Sequence, residues 1–119
     1  FGGNFLAMAA VNAALSILGK DKFMDGVRMR AARFREMLSE AFSAELVSEI
    51  RGRGFMLAVE LRQDIAKKIV AAGLAAKPMG LLLNATDEKT LRFVPPITLS
   101  EKEMGAGLKI LRKVLHECL

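Results

Sequence analysis

The residue with the clearest capacity for chemistry is Arg92, a single cation inside an otherwise apolar stretch that runs from Leu91 to Ile97. The residues around it favour a strand, and Pro95 and Pro96 then rule out both further ladder hydrogen bonds and an immediate helix. An arginine in such a strand either extends its guanidinium group to water or meets an anion. The sequence around Arg92 therefore predicts either a solvated cation or an anion-binding group.

Two glycine-containing stretches are candidates for contact with a ligand. Gly2 and Gly3 permit positive φ angles or a close approach to another backbone, and Asn4 is a suitable N-cap for the helix predicted after it. Residues 51–54 contain a Gly-x-Gly unit, but its spacing matches neither a dinucleotide-binding loop nor a P-loop, and a strand is predicted to follow it. A turn or β-bulge is the favoured interpretation of this second stretch.

Residues for metal or nucleophilic chemistry are too few to predict a site. The chain has one cysteine, Cys118, and one histidine, His116, both close to its last residue. A single cysteine excludes an internal disulfide and is compatible with a reducing compartment. We interpret Cys118 as a semi-buried or frayed thiol and His116 as a cation at a helix end. A pair of carboxylates that includes Glu60 is an alternative that no second feature supports.

The composition indicates one domain of a larger protein. Hydrophobic residues make up 52% of the 119 residues, and a small chain so rich in them often covers part of that surface with another domain or subunit. The apolar stretch from Phe5 to Leu18 falls short of the roughly 18 unbroken apolar residues of a membrane span. No basic segment precedes it, as one would in a signal peptide. Because the sequence starts abruptly at Phe1, we expect it to be part of a longer chain.

The net charge of +5 at pH 7 permits an anionic partner without requiring one. Four arginines lie on the second predicted helix. At about 100° per residue, Arg28 and Arg35 lie on one side of its apolar stripe, and Arg30 and Arg33 lie on the other. Since the four flank the stripe instead of forming one basic face, they do not favour a nucleic-acid-binding helix. We expect neither a nucleic-acid partner nor a membrane partner.

Hydrophobic periodicity predicts four helices and four short strands in the order α-α-β-β-α-β-β-α. The helices are predicted over 5–18, 22–42, 65 to 73 or as far as 77, and 101–117, with N-caps at Asn4, Asp21, Asp64 and Ser100. The strands are predicted over 46–50, 55–61, 81–84 and 90–94, with turns at 51–54 and 85–89. The short connections indicate antiparallel pairing. This order predicts an α+β fold, a two-layer sandwich of a small, mainly antiparallel sheet with helices on one side.

Apolar residues that recur at the helical period predict the core. In the second helix they are Phe23, Val27, Ala31, Phe34, Leu38 and Phe42, and in the last helix they are Met104, Leu108, Leu111 and Leu115. The first helix is apolar on all sides. We therefore expect it to be central or to lie against a partner.

Three segments resemble the class III, or ornithine-type, pyridoxal-phosphate aminotransferases. Residues 1–10 begin Phe-Gly-Gly-Asn and resemble the family's Phe-Gly-Gly-Asn-Pro-Leu-Ala segment, although Phe5 stands where the family usually has proline. Residues 51–61 resemble the Arg-Gly-x-Gly-Leu-Met turn of the family. Residues 80–84, followed by Leu-Arg-Phe-Val-Pro-Pro at 91–96, resemble the end of acetylornithine aminotransferases. The segments occur in the family's order and at its spacing, and they cover essentially the whole chain.

The resemblance implies the C-terminal small domain of a fold-type I aminotransferase. Residues 1–20 would be the loop and helix that lead in from a large domain, and residues 21–119 would be the small domain itself. The full-length enzyme would be a cytoplasmic homodimer whose cofactor, pyridoxal phosphate, is held mainly by the large domain. The lysine that binds the cofactor lies upstream in the family, so no lysine of this chain is assigned a catalytic role.

The resemblance also assigns possible roles to individual residues. Arg92 matches a small-domain arginine that in relatives pairs with a large-domain glutamate, or binds a substrate carboxylate when that glutamate moves aside. The alternative is a scaffold ion pair without substrate contact. Gly2, Gly3 and Asn4 would lie at the dimer interface near the cofactor phosphate, and a simple turn before the helix is the alternative. If the partner of Arg92 belongs to another domain, Arg92 is exposed here, or paired with a substitute acid or a solvent anion.

The function implied by the resemblance is transfer of an amino group between N-acetylornithine and 2-oxoglutarate in arginine biosynthesis. The 119-residue chain by itself is expected to be inactive and not to bind pyridoxal phosphate tightly. One alternative is another class III enzyme, acting on 4-aminobutyrate, succinylornithine or diaminopelargonate. The other is a free-standing basic interaction module.

Overall fold

The computed structural model describes residues 2–119, which fold into helices on an antiparallel sheet. The helices are α1 (Phe5–Leu18), α2 (Asp21–Ala41), α3 (Ala66–Ala75) and α4 (Glu101–Cys118). The strands are β1 (Val47–Arg53), β2 (Met56–Leu61), β3 (Asn84–Ala85) and β4 (Thr90–Phe93). Every predicted element is present in the predicted order, and the predicted α+β class is confirmed.

The sheet has the strand order β1-β2-β4-β3, and each neighbouring pair is antiparallel. In the central pair, Leu57 of β2 lies opposite Phe93 of β4, and Val59 lies opposite Leu91. All four of these side chains are buried, and they belong to one core with residues of α2, α3 and α4. Because side chains alternate between the two faces of a strand, the residues between them lie on the other face.

The helical stripes predicted from periodicity form the core. On α2, the buried residues are Val27, Ala31, Phe34, Leu38 and the C-cap Phe42, while Phe23 is half-buried. All four predicted residues of α4 are buried, and Val114 and Cys118 join them. The Phe34 ring connects the layers, with its centroid 5.8 Å from that of Phe55 and 6.2 Å from that of Phe93. Edge and tilted contacts of this kind stabilise aromatic clusters.

Helix α1 forms where it was predicted but is not covered by the rest of the described chain. The Asn4 side chain accepts hydrogen bonds from the amides of Leu6 and Ala7 at 3.0 and 3.1 Å, which confirms it as the N-cap. None of its residues is buried, and Phe5 and Leu6 are 92% and 82% exposed. It is therefore not the central helix of this unit. Between residues 2 and 119, no helix has the length and apolarity needed to cross a bilayer.

Two predicted N-caps, Asp21 and Asp64, are wrong. The N-cap of α2 is Lys20, and Asp21 is the first helical residue, where its charge favours the helix dipole. The N-cap of α3 is Ile65, whose side chain makes no capping bond. The Ala66 amide instead donates to the Glu88 carbonyl at 2.9 Å. A backbone group from the β3–β4 turn thus satisfies a free amide of the helix end, which a side-chain cap would otherwise do.

The first hairpin turns later than predicted. Strand β1 continues through Arg53, and the turn is at Gly54-Phe55 instead of 51–54. Gly52 lies inside the ladder with φ 128°, and a Cβ on it would be 2.1 Å from the Met56 carbonyl oxygen. Glycine is needed there because the other strand passes so close. The β1–β2 ladder has an irregularity between Val47 and Glu49, which precede the Gly-x-Gly unit in the sequence.

Strand β3 is shorter than the predicted 81–84. Only Asn84 and Ala85 pair with β4. The Leu81 amide donates to the Gly73 carbonyl at 2.7 Å, so this part of the chain is tied to the end of α3 instead of to the sheet. Gly73 itself remains inside α3, which ends at Ala75.

Helix α4 begins with the predicted capping box. The Ser100 hydroxyl accepts from the Glu103 amide at 3.3 Å, and the Glu103 carboxylate accepts from the Ser100 amide at 2.8 Å. These reciprocal bonds satisfy two amides at the helix start. They fix the position at which the chain leaves the turn after β4.

Replacing Ser100 with Ala should lower the free energy of unfolding by about 1 kcal/mol, because the N-cap hydroxyl is lost. Urea denaturation of the variant and the parent protein measures this loss. Ser39→Ala is the matched control, since the Ser39 hydroxyl donates to the Glu36 carbonyl within α2 and caps no helix. That control should change stability by no more than about 0.5 kcal/mol. Equal losses in both variants would contradict a capping role.

The capping box also predicts how Glu103 titrates. Hydrogen bonds from the Ser100 hydroxyl and amide hold the pKa of Glu103 below its ordinary value of 4.5. Because the folded pKa is the lower one, this contribution to stability is complete above the ordinary pKa and is lost as pH falls through the folded pKa. An NMR titration should show that Ser100→Ala moves the pKa of Glu103 back towards 4.5.

Asp87 serves as the internal reference for that titration. Its pKa is lowered by backbone and side-chain hydrogen bonds from Lys89 and Thr90, which are independent of α4. Ser100→Ala should leave the Asp87 pKa unchanged. A Glu103 pKa that stays equally low in the variant would rule out the Ser100 hydroxyl as a cause.

Candidate functional site

The sheet has one face that none of the helices α2 to α4 fills. We call it the open face, and its residues are Glu49, Arg51, Ala58, Glu60, Asn84 and Arg92. Ala58 and Glu60 alternate with the buried Leu57, Val59 and Leu61 along β2, so their side chains lie opposite the core. This face is polar and charged, which suits contact with water, ligand or another polar surface.

Arg92 lies in the middle of the open face. Its strand neighbours in register are Ala58 on β2 and Asn84 on β3. The residue is exposed, whereas Leu91 and Phe93 on either side of it are buried. Within residues 2–119, Arg92 has no carboxylate within 4.0 Å and its side chain makes no hydrogen bond. The guanidinium group is therefore available to an anion from outside this part of the chain.

Arg51, in contrast, is neutralised by two acids. It pairs with Glu60 through a short contact between its Nη1 and the Glu60 Oε2, and with Glu49 at 3.6 Å. Glu49 and Glu60 lie opposite each other in the β1–β2 register. The carboxylate pair considered for Glu60 is thus present, but Arg51 lies between its members. This arrangement is an ion triad, and it does not resemble an acid–base pair.

The loop before α1 is exposed and open. Gly3 has φ 81°, and added Cβ atoms at Gly2 and Gly3 would have no atom within 4 Å. The Asn4 side-chain Oδ1 accepts the two capping hydrogen bonds, from the amides of Leu6 and Ala7. The loop has room for a ligand or another chain to approach, but it does not enclose one.

A cleft of about 580 Å³ lies beside Arg92. It is lined by residues 81–84, by the end of β4 and by core side chains such as Phe34, Met104 and Leu108. The cleft exists because residues 81–83 do not pair with β4. Its lining is mostly apolar, with Asn84, Arg92 and Glu103 as the polar residues.

The four arginines of α2 all bond within the chain. Arg28 pairs with Asp25 at 2.5 Å, and Arg33 pairs with Glu36 at 3.1 Å. The remaining two donate to backbone carbonyls, Arg30 to Ile97 at 3.0 Å and Arg35 to Gly52 at 3.4 Å. Arg30 and Arg35 thereby join α2 to the turn after β4 and to the first hairpin. The arginines on both sides of the apolar stripe therefore have structural roles.

The last turn of α4 carries the lone cysteine and histidine. Cys118 is buried at 6% exposure, so the expected frayed thiol is wrong and the semi-buried one is closer to the structure. The Lys68 ammonium group donates to the Cys118 carbonyl at 2.8 Å. His116 is the basic residue of the last turn, as predicted. Among the described residues, no three His, Cys, Asp or Glu side chains are grouped to hold a metal ion.

Comparison with known sequences gives a single family. The model of the family described as aminotransferase class-III matches residues 1–115. Acetylornithine aminotransferase of Caldanaerobacter subterraneus subsp. tengcongensis is 42% identical over 118 residues, which are 98% of this chain and 29% of that protein. The enzyme of the same name from Streptococcus mutans is 33% identical over 98% of this chain and 30% of its own length. The chain thus spans about 30% of the length of these relatives.

Solved structures show the same fold. N-acetylornithine aminotransferase of Stenotrophomonas maltophilia superposes with a TM-score of 0.86 at 30% identity, over 98% of this chain and 32% of that one. An ornithine aminotransferase of Toxoplasma gondii, with partial occupancy of PLP at its active site, has a TM-score of 0.80 at 30% identity. The match covers 99% of this chain and 28% of that one. Adenosylmethionine-8-amino-7-oxononanoate aminotransferase of Methanocaldococcus jannaschii has a TM-score of 0.79 at 28% identity. The match covers 98% of this chain and 28% of that one.

The described residues do not close around Gly2 and Gly3, the loop that the resemblance places near a cofactor phosphate. The loop at Gly2 and Gly3 has no side chain or backbone around it that would enclose a phosphate.

The contrast between Arg92 and its neighbour Leu91 gives a stability prediction. Arg92→Met should change the free energy of unfolding by less than about 0.5 kcal/mol, because an exposed side chain without a partner stabilises little. Leu91→Ala, at a fully buried position, should cost about 2 to 5 kcal/mol. Denaturant unfolding of the two variants measures both values. A loss of more than about 1 kcal/mol in Arg92→Met would mean that Arg92 is part of the scaffold.

Proposed function

Because this chain belongs to the class III aminotransferases, we propose that it is the C-terminal small domain of a longer aminotransferase. The family match over residues 1–115 supports this, together with relatives that are about three times as long as the chain. The exposed apolar surface of α1 supports it independently, since such a surface is stable only when another body covers it. Residues 1–20 then form the loop and helix that join the large domain to residues 21–119.

We propose N-acetylornithine and 2-oxoglutarate as the substrates, with arginine biosynthesis as the context. The observation that carries this proposal is the name of the relatives compared above. They match 98% of this chain, and both are called acetylornithine aminotransferase. The same name recurs in a relative from Bacillus subtilis. The reaction exchanges a donor that has a neutral acetylated amine at its far end for an acceptor that has a carboxylate there.

In this proposal Arg92 binds the far carboxylate of the dicarboxylate acceptor. A guanidinium group is always charged and holds a carboxylate through two parallel hydrogen bonds. The β2 and β3 neighbours fix the Arg92 backbone, and no acid of the described chain occupies its side chain. The residue thus keeps its charge available while its position is determined by the sheet.

We further propose that pyridoxal phosphate is the cofactor of the full-length enzyme, where it carries the amino group between the two substrates. The rest of the protein holds it, and Gly2, Gly3 and Asn4 approach its phosphate at the interface of a cytoplasmic homodimer. The open surroundings of Gly2 and Gly3 leave space for that approach. The 119-residue chain on its own is inactive and binds the cofactor weakly. A pyridoxal phosphate absorbance band that remains with this chain after gel filtration would contradict this.

The second candidate is another branch of the same family. The similarity to the Methanocaldococcus jannaschii enzyme, which is named for a different amino acceptor, is nearly as high as that to the ornithine aminotransferase. The small domain is therefore shared between branches with different substrates. Activity on 4-aminobutyrate, succinylornithine or diaminopelargonate is the alternative to be tested.

Assays of the full-length enzyme distinguish between these branches. Steady-state assays with 2-oxoglutarate and a panel of amino donors should give the highest kcat/KM with N-acetylornithine. A higher kcat/KM with any of the alternative substrates would assign the enzyme to another branch.

Arg92→Met in the same full-length enzyme should raise the KM for 2-oxoglutarate about 10- to 100-fold, as expected for loss of a hydrogen bond between two charged groups. Arg53→Met is the matched control, since Arg53 is an exposed arginine at the hairpin end of β1 with no β4 residue opposite it. The control should leave the KM within about twofold, a change of no more than a few tenths of a kcal/mol. Equal effects of the two substitutions would mean that Arg92 acts only through general positive charge.

A further inference from the structure

Strand β1 lies at one end of the sheet, so one of its edges has no partner strand among residues 2–119. Along β2, the Leu61 amide donates to the Lys89 carbonyl, on the β4 side, and the Arg62 amide donates to the Leu46 carbonyl, on the β1 side. Alternate residues of β2 therefore direct their peptide groups to β4 and to β1. This alternation identifies which peptide groups of β1 lie on its outer side.

The peptide groups of Ile50 and Gly52 lie on that outer side. Arg51 lies opposite Ala58, which has the same orientation as Arg62, so the Arg51 peptide groups face β2. Its neighbours Ile50 and Gly52 then direct theirs away from the sheet. We call these outward groups of Ile50 and Gly52 the β1 edge. A row of unpaired peptide groups of this kind is a site at which another strand can add.

The Arg35 side chain of α2 covers the β1 edge. Its Nη2 donates to the Ile50 carbonyl at 2.5 Å, and its Nη1 donates to the Gly52 carbonyl at 3.4 Å. A guanidinium group is a planar fork of donors, so it can hold two carbonyls at once. Among residues 2–119, no carboxylate lies within 4.0 Å of Arg35, so no acid draws its donors away from the edge.

A second copy of β1 has the charge pattern that fits this edge. If two β1 edges pair antiparallel with Ile50 opposite Ile50, each Glu49 lies opposite Arg51 of the other copy. Both side chains are on the open face, where opposite charges at facing positions stabilise a strand pair. The contact is isologous, because both copies use the same residues. The strand that would add most readily to the uncovered edge is therefore β1 itself.

We propose that Arg35 closes the β1 edge and so prevents two copies of the protein from joining through their β1 strands. An incoming strand must donate its amides to the Ile50 and Gly52 carbonyls, and the guanidinium group already occupies both. Its charge also lies at the edge, where an incoming backbone would have to displace it from water. The inference is independent of the proposed substrates, because it concerns an edge of the sheet and not Arg92.

Arg35→Met in the full-length protein tests the closure. The variant should form larger assemblies as its concentration rises, with an average mass at least about twice that of the parent protein, because each joined edge adds one more copy. Sedimentation velocity over a concentration series measures the mass. A variant that keeps the parent's mass at every concentration would overturn the proposal.

Arg28→Met is the matched control. It removes the same charge from the same helix, but Arg28 pairs with Asp25 and not with the β1 edge. The control should keep the parent's mass throughout the series. Equal association of the two variants would mean that loss of positive charge, and not opening of the edge, joins the copies.

A charge reversal tests which strand occupies the opened edge. In the Arg35→Met background, Glu49→Lys places a lysine opposite Arg51 of the other copy, where like charges destabilise the pair. The larger assemblies should therefore disappear in the double variant. Assemblies that persist would mean that the copies join through another surface, and the proposal would fail.

Hydrogen exchange locates the contact. In concentrated Arg35→Met, amide exchange should become slower in peptides that cover β1 and stay unchanged in peptides that cover α4. Slower exchange in α4 alone would overturn the proposal. The dilute variant should keep the circular dichroism spectrum of the parent, which shows that the subunit is folded. If it does not, Arg35→Gln, which also lacks the charged fork, takes its place with the same expected results.

Discussion

The register between β2 and β4 is the constraint on which the rest of the structure depends. It places Leu57 against Phe93 and Val59 against Leu91 on the core face, and it places Arg92 beside Ala58 on the other. Because side chains alternate with a period of two, a shift of β4 by one residue would bury Arg92 and expose Leu91 and Phe93. Burial of an unpaired guanidinium is far more costly than the loss of a surface contact. The core thus determines on which face of the sheet Arg92 is presented.

Elements whose ends are decided locally could be predicted from the sequence. The limits of α1 follow from Asn4 and Gly19, and the start of α4 follows from the reciprocal bonds of Ser100 and Glu103. The core stripes also follow from local periodicity. The errors occur where a distant part of the chain intervenes, as when the Glu88 carbonyl replaces Asp64 at the start of α3. The short β3 has the same cause, because the end of α3 binds the Leu81 amide.

The site shows the same division between local and distant information. The exposure of Arg92 was one of two outcomes that its apolar neighbours predicted, but the triad of Arg51, Glu49 and Glu60 was not foreseen. The sequence suggests Glu60 only as one member of an unsupported carboxylate pair. Its partners depend on the β1–β2 register, which is set by a turn at Gly54-Phe55 instead of 51–54. An alternation pattern identifies the face of a residue. It does not identify which residue of the next strand lies opposite.

The two prolines after β4 have a consequence for what reaches Arg92. Because β3 begins only at Asn84, opposite Arg92, the outer edge of β4 beyond Arg92 has no partner strand in the described chain. An open edge of this kind normally invites another polypeptide to add a strand. Pro95 and Pro96 have no amide hydrogen, so the edge offers too few donors for such an addition. The sheet therefore ends beside Arg92 in a gap that excludes a further backbone strand while remaining open to a molecule the size of a metabolite.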